Sequence, residues 1–72
     1  MEVIAKVRFN ASKERIESFG MNKYLVYLPF PEEGNSLNVV IEVLSRQMGI
    51  PRKNIILKRK ALVTNDLVFE VN

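Results

Sequence analysis

The chain has 72 residues, with 11 Lys and Arg against 8 Asp and Glu, and it contains neither Cys nor His. Without Cys there is no disulfide or thiolate chemistry, and without His the commonest metal ligand and general base is missing. We therefore expect a protein that is not an enzyme and that holds no cofactor and no metal.

A single domain over residues 1–72 is expected, since no repeat or low-complexity tract divides the chain. Its longest apolar runs are far short of the roughly 20 residues that span a bilayer. The opening Met1-Glu2-Val3 is typical of a strand rather than of a basic signal segment. We expect a cytoplasmic protein with no membrane partner.

Residues 2–9 are predicted to form the first strand, because apolar residues alternate there with other types. Its apolar face holds Val3, Ala5, Val7 and Phe9. Lys6 and Arg8 are then expected on the other face. Residues 10–20 break this alternation. With Asn10 or Ser12 as a cap, they could form a short helical turn.

Residues 23–28 return to strand character and are ended by Pro29. Tyr24, Val26 and Leu28 are expected on one face and Tyr27 on the other. The prolines that follow restrict the backbone, so we expect a stiff loop before the next element.

The main helix is predicted after this loop, because its start, period and stop signals agree. Asn35 or Ser36 can cap it, and Gly49 followed by Pro51 can end it. Apolar residues recur along it at helical spacing. The predicted stripe consists of Leu37, Val40, Ile41, Leu44 and Met48.

Two further strands are predicted, over residues 54–60 and 67–71. In the first of them Ile55 and Leu57 are expected to face the core, while Lys58 and Lys60 face the other way. The link between the strands contains an apolar run, residues 61–63, where polar residues are usual. This run is either tucked into the core or part of an oligomer contact.

These elements predict an α+β domain. A single main helix covers one face of a four-stranded, mostly antiparallel or mixed sheet, with a short helical turn after the first strand. The other sheet face is expected to be largely open to water. The fold is therefore a two-layer α/β sandwich.

Four segments resemble the YggU-like family of small proteins of unknown function, and one of them, Ile41-Glu42-Val43-Leu44, is similar to its helix core. Val7-Arg8-Phe9-Asn10-Ala11-Ser12-Lys13-Glu14-Arg15-Ile16 is similar to the family's Val-x-Pro-Asn-Ala-Ser-Lys-x-x-Ile, Pro29-Phe30-Pro31-Glu32-Glu33-Gly34 to its Ala-Pro-Pro-x-x-Gly, and Gly49-Ile50-Pro51 to its Gly-Val-Pro. The resemblance implies a small two-layer α/β domain with four strands, and it names no activity.

The departures from the family pattern lie at the helix start and after the third predicted strand. Gly34-Asn35-Ser36-Leu37 stands where the family has Gly-Lys-Ala-Asn, and Arg59-Lys60-Ala61-Leu62-Val63-Thr64 where it has Ser-Gly-x-x-Ser-Arg. A more distant alternative is a ubiquitin-like roll. Because the sequence ends in Val71-Asn72 without a Gly-Gly tail, we expect no role in conjugation.

The leading candidate site is a basic surface. Five positive charges and no acidic residue lie between positions 52 and 60. Phosphates bind such clusters through counterion release, and an outward aromatic ring offers a stacking platform. The residues predicted for nucleic-acid binding are Lys6, Arg8, Arg52, Lys53, Lys58, Lys60 and Tyr27. The alternative is a solvated face whose lysines discourage edge pairing.

A second candidate is the start of the main helix. Free N–H groups near Gly34, Asn35 and Ser36 could hold an anion, although Glu32 and Glu33 directly before them would repel one. The sequence thus predicts a non-enzymatic binding module whose partner is RNA or DNA. The alternative is a protein interaction domain that uses the outer face of the helix or the 61–63 loop.

Overall fold

The computed structural model describes residues 1–72, which form one α-helix on one face of a five-stranded sheet. The strands are β1 (Glu2–Arg8), β2 (Arg15–Gly20), β3 (Lys23–Tyr27), β4 (Ile55–Lys60) and β5 (Leu67–Val71). The helix α1 spans Ser36–Met48, and a 3-10 turn at Arg52–Asn54 leads into β4. The α+β class with one main helix is confirmed, whereas the predicted number of strands is one too few.

The sheet is mixed, and its strands lie in the order β2-β3-β1-β5-β4. β1 pairs in parallel with β3, and every other neighbouring pair is antiparallel. β1 occupies the middle of the sheet, and on its helix side Val3 and Ala5 are fully buried. Parallel pairing places the ends of β1 and β3, at Arg8 and Tyr27, side by side.

β2 corrects the prediction of a short helical turn after the first strand. Arg15–Gly20 forms a hairpin with β3 through a two-residue turn, in which Asn22 has the left-handed φ of 56°. An isolated turn of helix is marginal in water, whereas the hairpin gives this backbone partners on β3. Ile16, opposite Val26, packs against the edge of the core.

The core lies between α1 and the sheet. Its buried side chains are Val3, Ala5, Val26, Leu28, Val40, Val43, Leu44, Ile55, Phe69 and Val71. Val43 is missing from the predicted stripe, whereas Leu37, Ile41 and Met48 are only partly buried. The buried stripe is therefore rotated around the helix from its predicted centre. No helix in the structure is long and apolar enough to cross a membrane.

The two ends of α1 differ in how their backbone groups are satisfied. Gly49 adopts the left-handed conformation with φ 69°, and its N–H donates to the carbonyl of Ser45 at 2.9 Å, as a C-terminal glycine is expected to do. At the start, Asn35 makes no side-chain cap. The hydroxyl of Ser36 instead accepts the N–H of Glu33 at 2.7 Å, so the predicted side-chain cap is wrong.

Candidate nucleic-acid interface

We call the sheet face turned away from α1 the open face. Side chains alternate across a strand, so residues between the core positions of β1, β3 and β2 emerge on this face. The strand pairing sets Arg8 of β1 beside Tyr27 of β3, and Tyr27 beside Arg15 of β2. We call these three residues the arginine–tyrosine row.

In the arginine–tyrosine row a tyrosine lies between two arginines. The guanidinium carbon of Arg15 lies 4.2 Å from the centre of the Tyr27 ring, which is within cation–π distance. Arg8 flanks the ring from the other neighbouring strand and has no acidic group within ion-pair distance. The row therefore offers a flat stacked surface with positive charge on both sides.

Glu17 holds one end of the row in place. The Tyr27 hydroxyl donates to Oε1 of Glu17 at 3.3 Å, and Nη2 of Arg15 lies 3.7 Å from Oε2 of Glu17. The Arg15 and Glu17 side chains are about half exposed, so solvent screens this ion pair and it contributes little to stability. Its main effect is to orient the guanidinium over the ring.

At the opposite corner of the open face the positive charges are neutralised. Lys58 donates a hydrogen bond to Glu2 at 3.0 Å and lies 3.7 Å from a carboxylate oxygen of Glu70, while Arg59 lies 3.8 Å from Glu2. The hydrogen bond between Lys58 and Glu2 lowers the pKa of Glu2 and raises the pKa of Lys58. A hydrogen bond from the N-terminal ammonium lowers the pKa of Glu70.

The other predicted basic residues do not join the arginine–tyrosine row. Nζ of Lys6 lies 3.2 Å from Oδ1 of Asp66, the residue directly before β5, as an ion pair without hydrogen-bond geometry. Arg52 and Lys53 are exposed in the 3-10 turn before β4, at the end of the sheet where β1 begins. Residues close in sequence thus end at separate corners of the molecule.

Lys60 lies on the helix side of the sheet, which corrects its predicted position on the open face. The pairing of β4 with β5 shifts by one residue between Leu57 and Arg59, so that Lys58 is the extra residue of a bulge. Beyond it, Arg59 pairs with Val68 and Lys60 with Leu67. Because of the bulge, Arg59 lies on the open face and Lys60 on the helix side, which is the reverse of what strict alternation predicts.

Lys60 lines a cavity of about 380 Å³ between α1 and the ends of β1, β4 and β5. We call it the helix-start cavity, because Gly34 and Ser36 also line it. Glu32 and Glu33 stand at the same opening, and Nζ of Lys60 lies 3.9 Å from a carboxylate oxygen of Glu32. Two of the three residues predicted to bind an anion, Gly34 and Ser36, therefore line a cavity with two carboxylates beside it, whereas Asn35 does not line it.

Arg15 was not among the predicted site residues, although it completes the arginine–tyrosine row. The sequence predicts a helical turn for residues 10–20, and a helical turn does not place Arg15 next to Tyr27. The signal that could have located it is the alternation of Arg15 and Glu17 with Ile16 and Ser18, ahead of a short turn.

The fold and the open face together define a small α+β domain with one uncovered sheet surface. No protein-family model matches the chain, and no solved structure matches it significantly.

Proposed function

We propose that the protein is a small non-enzymatic module that binds single-stranded nucleic acid, with RNA as the first partner to test, through the open face. The arginine–tyrosine row is the observation that carries this proposal. Guanidinium groups bind phosphates, and aromatic or guanidinium planes stack on bases. The row brings both kinds of group together within three neighbouring strands.

Each side chain of the row has a separate role in the proposed complex. The Arg15 guanidinium already lies over Tyr27, and its outer side is a plane on which a base can stack. Arg8 has no carboxylate partner, so a phosphate can approach it without breaking an ion pair. Glu17 keeps Arg15 and Tyr27 aligned when no ligand is bound.

The proposed footprint is narrower than the seven residues predicted from the sequence. A phosphate at Lys58 would compete with Glu2 and Glu70, and a phosphate at Lys6 would compete with Asp66. These two lysines therefore contribute less to binding than Arg8. Binding is expected to be tolerant of sequence, because stacking and phosphate contacts read no base edge.

A salt titration tests the proposal. Fluorescence anisotropy of a labelled ten-nucleotide RNA is measured with the protein at about 50 and 200 mM salt. If Arg8 and Arg15 each neutralise one phosphate, the slope of log affinity against log salt is about −1.4, and this fourfold rise in salt weakens binding about sevenfold. A dissociation constant weaker than about 0.1 mM at the lower salt concentration contradicts the proposal.

The second candidate function is protein interaction through residues 61–63. Leu62 and Val63 in this loop are almost fully exposed. The outer face of α1 is less suited to this role, because it is polar and its Arg46 is paired with Glu14 at 2.9 Å. A partner recovered by the wild type and lost from a Leu62→Asp variant, with no dependence on salt, favours this function over nucleic-acid binding.

We also propose that the chain is a divergent relative of the YggU-like family. The single helix on a mixed sheet supports this relationship, while the fifth strand departs from the four that the resemblance implies. A set of intermediate sequences that keeps both Asn10-Ala11-Ser12-Lys13 and Gly49-Ile50-Pro51 is expected if the relationship exists. Relatives of this chain that lack both segments would contradict it.

A further inference from the structure

The loop between β4 and β5 presents two apolar side chains to solvent. Leu62 and Val63 are each 95% exposed, so the expectation that this run is tucked into the core is wrong. The loop is an ordered turn. Ala61 donates its N–H to the carbonyl of Asp66, and Asn65 donates to the carbonyl of Ala61, both at 2.8 Å. The two side chains are therefore held outward by a closed backbone.

The helix-start cavity lies directly beside this loop, because Lys60 and Asn65, which flank the turn, both line it. Its apolar lining consists of Val7, Phe9, Leu37, Val40, Leu57 and Leu67. A cavity of about 150 Å³ is what truncation of one buried leucine can leave. At about 380 Å³, the helix-start cavity has room for the side chains of both Leu62 and Val63 from another molecule.

The charges around the two features are complementary. Lys60 directly precedes the exposed turn and lies on the cavity side of the sheet, whereas Glu32 and Glu33 stand at the opening of the cavity. Within one molecule Lys60 is near Glu32 only through a long, exposed ion pair, and Glu33 has no cationic partner. A second copy that brings its loop to the cavity also brings its Lys60 close to these carboxylates.

We propose that the protein forms a homodimer in which each copy inserts Leu62 and Val63 into the helix-start cavity of the other. Because the loop and the cavity are adjacent, a single two-fold axis can place the loop of each copy in the cavity of the other. The assembly then closes as a dimer instead of growing into a filament. The proposal does not depend on nucleic-acid binding, since the arginine–tyrosine row is on the other face of the sheet.

Analytical ultracentrifugation from about 10 µM to 1 mM covers the range of a weak homodimer. The wild type is expected to show a monomer–dimer equilibrium. Leu62→Asp is expected to weaken dimerisation by on the order of 100-fold, because each dimer loses two buried leucines. Met21→Asp is the matched control, because Met21 is also exposed, at 88%, but lies at the opposite end of the sheet.

A cavity variant tests the other half of the contact. A Cβ at Gly34 meets no atom within 4 Å, and this glycine does not need a positive φ, so Gly34→Phe adds a ring beside the cavity without a clash at its Cβ. Neither Gly34→Phe nor Leu62→Asp is expected to self-associate. An equimolar mixture of the two is expected to form a heterodimer, because one copy keeps the loop and the other keeps the cavity.

Several results overturn the proposal. They are a wild type that is monomeric at about 1 mM, a Leu62→Asp variant that dimerises as the wild type does, or a mixture of the two variants that stays monomeric. Circular dichroism checks that both variants are folded. Binding of a monomeric wild type to anionic lipid vesicles through Leu62 would also overturn it, by giving the loop a different partner.

Discussion

Truncation of Phe69 tests the core between α1 and the sheet. Phe69 is fully buried on β5, where it pairs with Val3 of β1 on one side and with Leu57 of β4 on the other. Phe→Ala substitutions in cores cost about 3–5 kcal/mol, because burial is lost and a cavity remains. A domain of this length has a free energy of unfolding of roughly 4–11 kcal/mol. Phe69→Ala is therefore expected to remove between about a quarter and all of the free energy of unfolding.

Urea unfolding followed by far-ultraviolet circular dichroism measures this loss. Phe19→Ala is the matched control, because Phe19 is 51% exposed on the edge strand β2. We expect Phe19→Ala to cost less than about 1 kcal/mol, as surface substitutions usually do. Equal losses from the two substitutions, or a loss below about 1 kcal/mol for Phe69→Ala, would refute the position of the core.

Two further predictions concern backbone conformation and pH. Gly49→Ala is expected to lower the free energy of unfolding by about 1 kcal/mol, because Gly49 has the left-handed φ of 69°. Gly34 does not have a positive φ and has room for a Cβ, so Gly34→Ala is expected to be neutral or stabilising. Urea unfolding midpoints of the two variants test this difference. The pKa values of Glu2 and Glu70 are lowered, so their contribution to stability is present above the ordinary 4.5 and is lost as pH falls through the lowered values. The raised pKa of Lys58 reverses the sign, so its contribution is present below 10.5 and is lost as pH rises through the raised value. Urea midpoints against pH should therefore fall less steeply below 4.5 in Glu2→Gln than in the wild type, and parallel curves would contradict the assignment.

The main helix and four of the five strands could be predicted because their apolar residues repeat with a clear period. Val3 and Ala5 alternate as a half-buried strand requires, and Gly49 ends α1 in the expected conformation. β2 carries that signal only weakly, because it is an edge strand on which only Ile16 packs against the core. Its strand conformation depends on hydrogen bonds to β3, which local sequence patterns do not encode.

The candidate site was harder to predict than the fold, because it depends on strand order and register. Arg8, Arg15 and Tyr27 are far apart in sequence and meet only because β3 pairs with both β1 and β2. The bulge at Lys58 similarly moves Lys60 to the helix side, which strict alternation cannot anticipate. Charge density along the chain indicated residues 52–60, whereas the strand pairing places Arg8 beside Tyr27 at a different corner of the sheet.

RNA binding by three single variants tests the central claim most directly. Tyr27→Ala is expected to weaken binding by about 5- to 150-fold, because loss of the ring removes the support that presents the outer side of Arg15 to a base, and stacking contributes about 1–3 kcal/mol per base. Arg8→Ala should make the salt slope less negative by about 0.7. Lys60→Ala removes the same charge on the helix side, so it should leave the slope unchanged. The account is contradicted if Tyr27→Ala binds RNA as the wild type does, or if Lys60→Ala changes the slope as much as Arg8→Ala.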